Sequence, residues 1–494
     1  MECFANRATR IAAAVTAALF GNPTFGAEPI LLQDLAPGKG QVYGASGSSD
    51  THLYVQPYPS NGVFALDGSG QTATKVLEHQ LFDRVFGLGA ISLFSYDDNR
   101  HGHELWRSDG TRKGTYLVKD LVGGPQSSYP RTFVRWRDKV YFSIFRRKNQ
   151  LNLPNPSDPA NYDPPQLWST DGTNEGTQLV TNLDTLTWFW DGEYSDWGYV
   201  SHIRAGQDRL FFVISAANPV ADYEYLYTLW QSDGTPEGTF QMKRPASDDP
   251  VLASVLLESL GDITYFADNQ RAEPPPSEDH PEWVKGELWR TDGSREGTTL
   301  LSNALAYPKM GIFESQAYFV LRDETGLHLA RTHADTHSTE RVATLRPAAA
   351  DSEAVSINFA IHTSSLYIRM IGVKDNSQTF NELWRYSGSD QSVTLITDDL
   401  IPFDTATVKD GTLFFAGGPE NNVEPWRSDG TTVGTALLAD LNPTGSSSPY
   451  FNPPFAGALW FSAFNGTTQD LYRSDGTAAG TAVAIVVNSN RTRC

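Results

Sequence analysis

Seven times along this chain a phrase close to Glu-Leu-Trp-x-Ser-Asp-Gly-Thr-x-x-Gly-Thr recurs. It reads ELWRSDGTRKGT from Glu104, QLWSTDGTNEGT from Gln166, TLWQSDGTPEGT from Thr228 and ELWRTDGSREGT from Glu287. The later copies are ELWRYSGSDQSV from Glu382, EPWRSDGTTVGT from Glu424 and DLYRSDGTAAGT from Asp470. A chain that repeats one supersecondary unit this often builds a closed ring or a stack, not a set of unrelated domains. Trp384 to Trp426 is 42 residues and Trp426 to Tyr472 is 46, the period of a four-stranded propeller blade. Trp106 to Trp168 and Trp168 to Trp230 are 62 each, and Trp230 to Trp289 is 59; these read as the same unit carrying an insertion.

Within a unit the composition is that of short strands. RTFVRWRD (131–138), KVYFSIF (139–145), QLWSTD (166–171) and TQLVTNL (177–183) are rich in Val, Tyr, Phe and Thr and bounded by turn residues, with no long 3.6-residue period beside them. Two weaker copies, at 62–78 and 326–345, fill gaps and bring the count to nine. The fold class expected is all-β: a single propeller of four-stranded blades, eight or nine of them, with seven as the fallback. ILLQDLAPG (30–38) resembles the fourth strands YLVKDLVGG (116–124) and LLADLNPTG (437–445), so an N-terminal strand is a candidate for closing the ring, competing with 481–487.

The repeated turn has its own explanation. Asp109-Gly110-Thr111 and its equivalents supply an acceptor for backbone N–H groups, a residue at ease with positive φ, and a hydroxyl to tie the turn back. Each turn offers one carboxylate, which fits this self-bonded turn better than a calcium site. These copies resemble the ELWxxDGT repeat family of bacterial secreted β-propeller proteins, and the turn is similar to the Asp-box of sialidase propellers. The resemblance covers residues 30–487. It implies fold and export, and because that family has no single activity it carries over no catalytic residue. Residues 326–345 depart most, with Ala330 where Trp is expected and His333 where Asp is expected.

Arg7 and Arg10 followed by the apolar run IAAAVTAALFG (11–21) and small residues near Gly26 and Ala27 read as a signal peptide over 1–27, too short to span a membrane. The propeller then occupies 28–494, and the product is expected to be secreted, periplasmic or extracellular. Cys3 would leave with the signal, so Cys494 has no partner for a disulfide and stability must come from packing. With 38 basic against 58 acidic residues the net charge is −20, which disfavours nucleic acid and anionic membranes as partners. No membrane span is expected, and a monomer is.

Function in propellers gathers on the face that carries the second-to-third and fourth-to-first connections, and the insertions at 146–165, 184–199 and 268–286 fall there. LTWFWDGEYSDWGY (186–199) places Trp188, Trp190, Tyr194 and Trp197 among Asp191 and Glu193, with Tyr225 nearby in DYEYLY (222–227). Flat rings beside carboxylates suit a neutral sugar; the alternative is a satellite core beneath a long loop. Tyr199, His202 and Arg204 begin an inner strand, and a Tyr or His base beside an Arg that neutralises a carboxylate is the equipment of eliminative polysaccharide cleavage. The plain alternative is polar residues bonding at a strand end. His101 and His103, and separately His333, Asp335 and His337, are candidate ligands for a divalent metal, calcium or zinc, against solvated loops and a decayed turn. There is no phosphate loop, CxxC pair, HExxH or GxSxG elbow. The expectation is a recognition or scaffold protein for a glycan or cell-surface protein. A carbohydrate-active enzyme, a polysaccharide lyase or glycoside hydrolase, is the alternative.

Overall fold

The computed structural model describes residues 41–485 except 59–61, 71, 82, 146–163, 184–197, 218–224, 246–249, 254, 269–285, 334, 349–351, 363, 375–378, 399–405 and 420. Among the described residues there is no α-helix, and so none long and apolar enough to cross a membrane. Every strand pairing is antiparallel and sequential, giving seven four-stranded sheets and one of seven strands. The seven-stranded sheet is two units joined by one strand, Thr299–Phe313. Its first half pairs with Gly286–Thr291 and its second with Gln316–Asp323. It is thus the outer strand of one unit and the inner strand of the next. Pro308, which has no N–H to give, sits where the second pairing is interrupted between Ala306 and Met310.

Among the described residues the result is nine four-stranded units, blades 1 to 9, over residues 41–77, 86–119, 131–182, 198–241, 255–306, 305–347, 352–397, 406–437 and 450–485. The faint copies at 62–78 and 326–345 belong to blades 1 and 6. Second strands such as Lys139–Ile144 and Leu459–Phe464 are buried on both faces, because each blade packs between two others. That is why they read as unbroken apolar runs while the third strands keep polar positions.

The ring closes by packing. Leu53, Val55 and Leu66 of blade 1 share one core with Phe455, Trp460 and Leu471 of blade 9. At Gly70, in the blade 1 turn, an added Cβ would meet the Trp460 ring at 2.5 Å. The same relation recurs at internal seams, where the turn glycines Gly430 and Gly476 face Tyr367 and Phe414 of the preceding blade. Blade 9 draws all four strands from 450–485, and the expected closing segment 30–38 lies outside the described residues.

The Asp-Gly-Thr turns join third to fourth strands on one rim, called lower here. In blade 3, Asp171 Oδ1 accepts the N–H and hydroxyl of Thr173 at 2.8 and 2.7 Å, and Gly176 N–H donates to Thr173 Oγ1 at 2.9 Å. Thr170 Oγ1 accepts from Gly172 N–H and is hydrogen-bonded to the Thr177 hydroxyl. The network repeats around Asp109, Asp233, Asp292, Asp429 and Asp475. Each carboxylate is engaged by its own turn. Arg107 and Arg427, the residues after the repeat Trp, donate to the turn carbonyls of Gly172 and Gly476 in the following blade. The repeated phrase therefore makes both the turn and the seam.

Candidate functional site

The opposite, upper rim carries the second-to-third and fourth-to-first connections, so the strand ends that flank 146–163, 184–197 and 269–285 all lie on it. Two of the connectors are clamped by the first residue of the repeat. Glu104, fully buried, accepts from Leu121 N–H at 2.8 Å, from Ser128 N–H at 3.0 Å and from the Ser128 hydroxyl at 2.7 Å. Glu424 holds Leu441 N–H and Ser447 N–H in the same way. Burial pushes the Glu104 carboxyl up to about 7, against the pull of those hydrogen bonds.

Inside the ring, the first strands of consecutive blades stand side by side along the channel. In blade 4 that strand is Gly198–Ala205, with a bulge between Val200 and His202. Val200 and Ile203 enter the core between blades 3 and 4. Tyr199, His202 and Arg204 stay half-buried. Arg204 Nε lies 3.1 Å from the Glu258 carboxylate on the inner strand of blade 5. His202 Nδ1 is 3.0 Å from the Ser201 hydroxyl. Burial, reinforced by the positive charges of Arg204 and Lys309, pushes His202 down to about 4, so at neutral pH it is uncharged. The Tyr199 ring lies 5.0 Å from the Arg131 guanidinium carbon, across the seam from blade 3, and Phe145 lies 5.4 Å from the same group.

Four consecutive inner strands, Arg131–Trp136, Gly198–Ala205, Val255–Leu260 and the second half of Thr299–Phe313, thus carry Arg131, Arg135, Arg204 and Lys309 against Glu258 alone. An excess of positive charge on one wall of a chain with net charge −20 is a local feature that composition conceals. Sequence reading found His202, Arg204 and Tyr199 but missed Arg131, Glu258 and Lys309. The available signal was a cation on successive first strands; the partner relations appear only once the ring sets those strands together.

The other expected residues are dispersed. Trp188, Trp190, Asp191, Glu193, Tyr194 and Trp197 lie outside the described residues, and Tyr225 is the first residue of the strand Tyr225–Ser232. His101 Nδ1 is 2.8 Å from Asp98, while His103 stacks on Tyr129 with centroids 5.0 Å apart. On the lower rim His333 contacts Gln316 and His337 contacts Thr299, with Asp335 exposed nearby. No group of three His, Cys, Asp or Glu among the described residues is arranged to hold a metal ion.

The propeller domain of the Trilobed protease from Pyrococcus furiosus is 12% identical; the match covers 73% of this chain and 99% of that one, with TM-score 0.33. The tricorn protease is 10% identical over 92% of this chain and 50% of its own, with TM-score 0.32. A Mycobacterium tuberculosis puromycin-hydrolyzing peptidase is 9% identical over 93% and 56%, with TM-score 0.40. The chain spans about half the length of these last two. At such identities the likeness concerns fold alone. No family model matches the chain, and no curated protein matches it. The ELWxxDGT resemblance therefore rests on the repeats themselves.

The expectation of a glycan- or surface-protein-binding module, with a carbohydrate-active enzyme as alternative, is corrected. Solved structures that match include prolyl endopeptidases, the tricorn protease, puromycin-hydrolyzing peptidases and an acylaminoacyl peptidase, not glycan-binding scaffolds or carbohydrate enzymes. His202, cast as the base, is too weakly basic once buried beside two cations.

Proposed function

We propose that the ring binds an acidic polypeptide segment along the inner wall of blades 3 to 6, entered from the upper rim. The observation that carries this reading is the run of Arg131, Arg135, Arg204 and Lys309 on adjacent first strands of an otherwise acidic protein. A concave, low-dielectric wall focuses the field of such charges, raising the local concentration of a ligand of opposite sign. Arg131 and Arg135 are separated by about 13 Å along their strand at ~3.3 Å per residue, and the other cations stand on neighbouring strands. That spread suits a ligand with several carboxylates strung along a chain rather than one small anion. A long nucleic acid would meet the acidic outer surface with its continuous phosphate charge.

Binding of a hexaglutamate peptide, with hexaglutamine as the neutral control, tests the reading by calorimetry. Hexaglutamate is expected to bind at least ~10-fold more tightly, with an affinity that falls as salt rises, and the Arg204→Ala/Lys309→Ala double variant is expected to lose most of that difference. Equal binding of the two peptides would overturn it.

A further inference from the structure

Arg131 is a cation in an unusual setting. Its guanidinium carbon lies over two rings, Phe145 at the end of its own blade's second strand and Tyr199 at the start of the next blade's first. Both ring positions are strand ends on the upper rim, so the group sits at the channel mouth in the seam between blades 3 and 4. Among the described residues its buried Nε–H has no hydrogen-bond acceptor and no ion pair reaches the guanidinium. Burial accordingly pulls the Arg131 pKa down, and Tyr199 and Asp83 offset this only through longer-range attraction. Partial removal of a guanidinium from water is costly, and cation–π contacts offset only part of that cost. Arg107 and Arg427 at other seams donate a terminal N–H to turn carbonyls, although the Nε–H of Arg107 is likewise buried without an acceptor.

We infer that Arg131, oriented by Phe145 and Tyr199, is the receptor for one carboxylate of the ligand, a subsite at the upper mouth of the channel. The inference rests on the proposed acidic-polypeptide reading and names the group that fixes the ligand's entry end. A planar guanidinium held against rings presents its N–H fork to a carboxylate in the two-bond geometry that such pairs favour. A lysine at this position would keep the charge and lose both the stacking and the fork. The two rings hold the fork before the ligand arrives, which lowers the ordering cost of binding.

The test uses the full chain and hexaglutamate, with Arg131→Lys and Arg131→Met compared with wild type. Arg131→Lys is expected to weaken binding about tenfold or more, and Tyr199→Ala to weaken it in the same direction. Arg131→Met removes a half-buried cation that no described residue ion-pairs, so its thermal midpoint is expected to equal or exceed that of wild type while hexaglutamate affinity falls. Such a split separates a binding residue from a structural one. Unchanged affinity in Arg131→Lys, with Arg204→Ala still weakening the peptide, would overturn the subsite and leave the proposed function standing. An Arg131→Met chain that melts earlier yet binds normally would assign Arg131 to the seam alone and also overturn it. Hexaglutamate binding no better than hexaglutamine would remove both.

Discussion

At the scale of single residues, the repeated phrase is a set of small chemical obligations. Asp171 makes two hydrogen bonds to Thr173, and these hold its carboxyl below the usual range. A Cβ on Gly176 would stand 2.1 Å from that carboxylate. Asp171→Ala should therefore cost about 1–3 kcal/mol, the sum of two net hydrogen bonds, read as a lower midpoint in denaturant titration. Gly176→Ala should be worse than the half-buried position suggests, since the Asp171 carboxylate would have to move. Glu104 behaves in the opposite sense. Its carboxyl is raised in the folded protein, so the folded state holds a proton that the unfolded state has released. Its contribution favours folding below about pH 4.5 and is lost as pH rises through about 7. The stability of wild type should show a component that falls between those values. Glu104→Gln should flatten that component in thermal melts run across the same range; an unchanged slope would mean that other groups produce it.

At the scale of elements, the seams decide whether nine blades make one body. Trp460 reaches from blade 9 onto Gly70 of blade 1 just as Phe414 reaches Gly476 across an internal seam. Trp460→Ala should cost ~3–5 kcal/mol, the range for emptying a buried aromatic site, and should match Phe414→Ala. A cost near zero at Trp460 would mean that this seam carries no load. Much of this level was legible from spacing, because the Trp-to-Trp interval counts strands whatever lies between them. Blade 6 was harder to read: Ala330 and His333 replace the Trp and Asp that mark other units, yet Leu327, Leu329 and Ala330 still fill the buried positions. Continuity of Thr299–Phe313 was not legible, since neither glycine nor an Asp-Gly pair marks where one blade ends and the next begins. The candidate site was half legible for a related reason. Tyr199 and Arg131 are 68 residues apart in the chain and meet only because consecutive first strands are neighbours in the ring.

At the scale of the whole molecule, net charge conceals the cations on the inner strands. A net charge of −20 describes the sum over the chain, whereas the first strands of blades 3 to 6 carry Arg131, Arg135, Arg204 and Lys309. The lower rim is closed by turns whose carboxylates bond inward, and the upper rim carries every long insert, so the ring has a built-in polarity. Binding should follow it. Hydrogen exchange followed by mass spectrometry, with and without hexaglutamate, tests this most directly. Slower exchange is expected in peptides covering 131–136, 198–205, 255–260 and 305–313, with little change in the lower-rim turns. Protection confined to those turns or to the outer strands, with the four inner strands unaffected, would contradict the account.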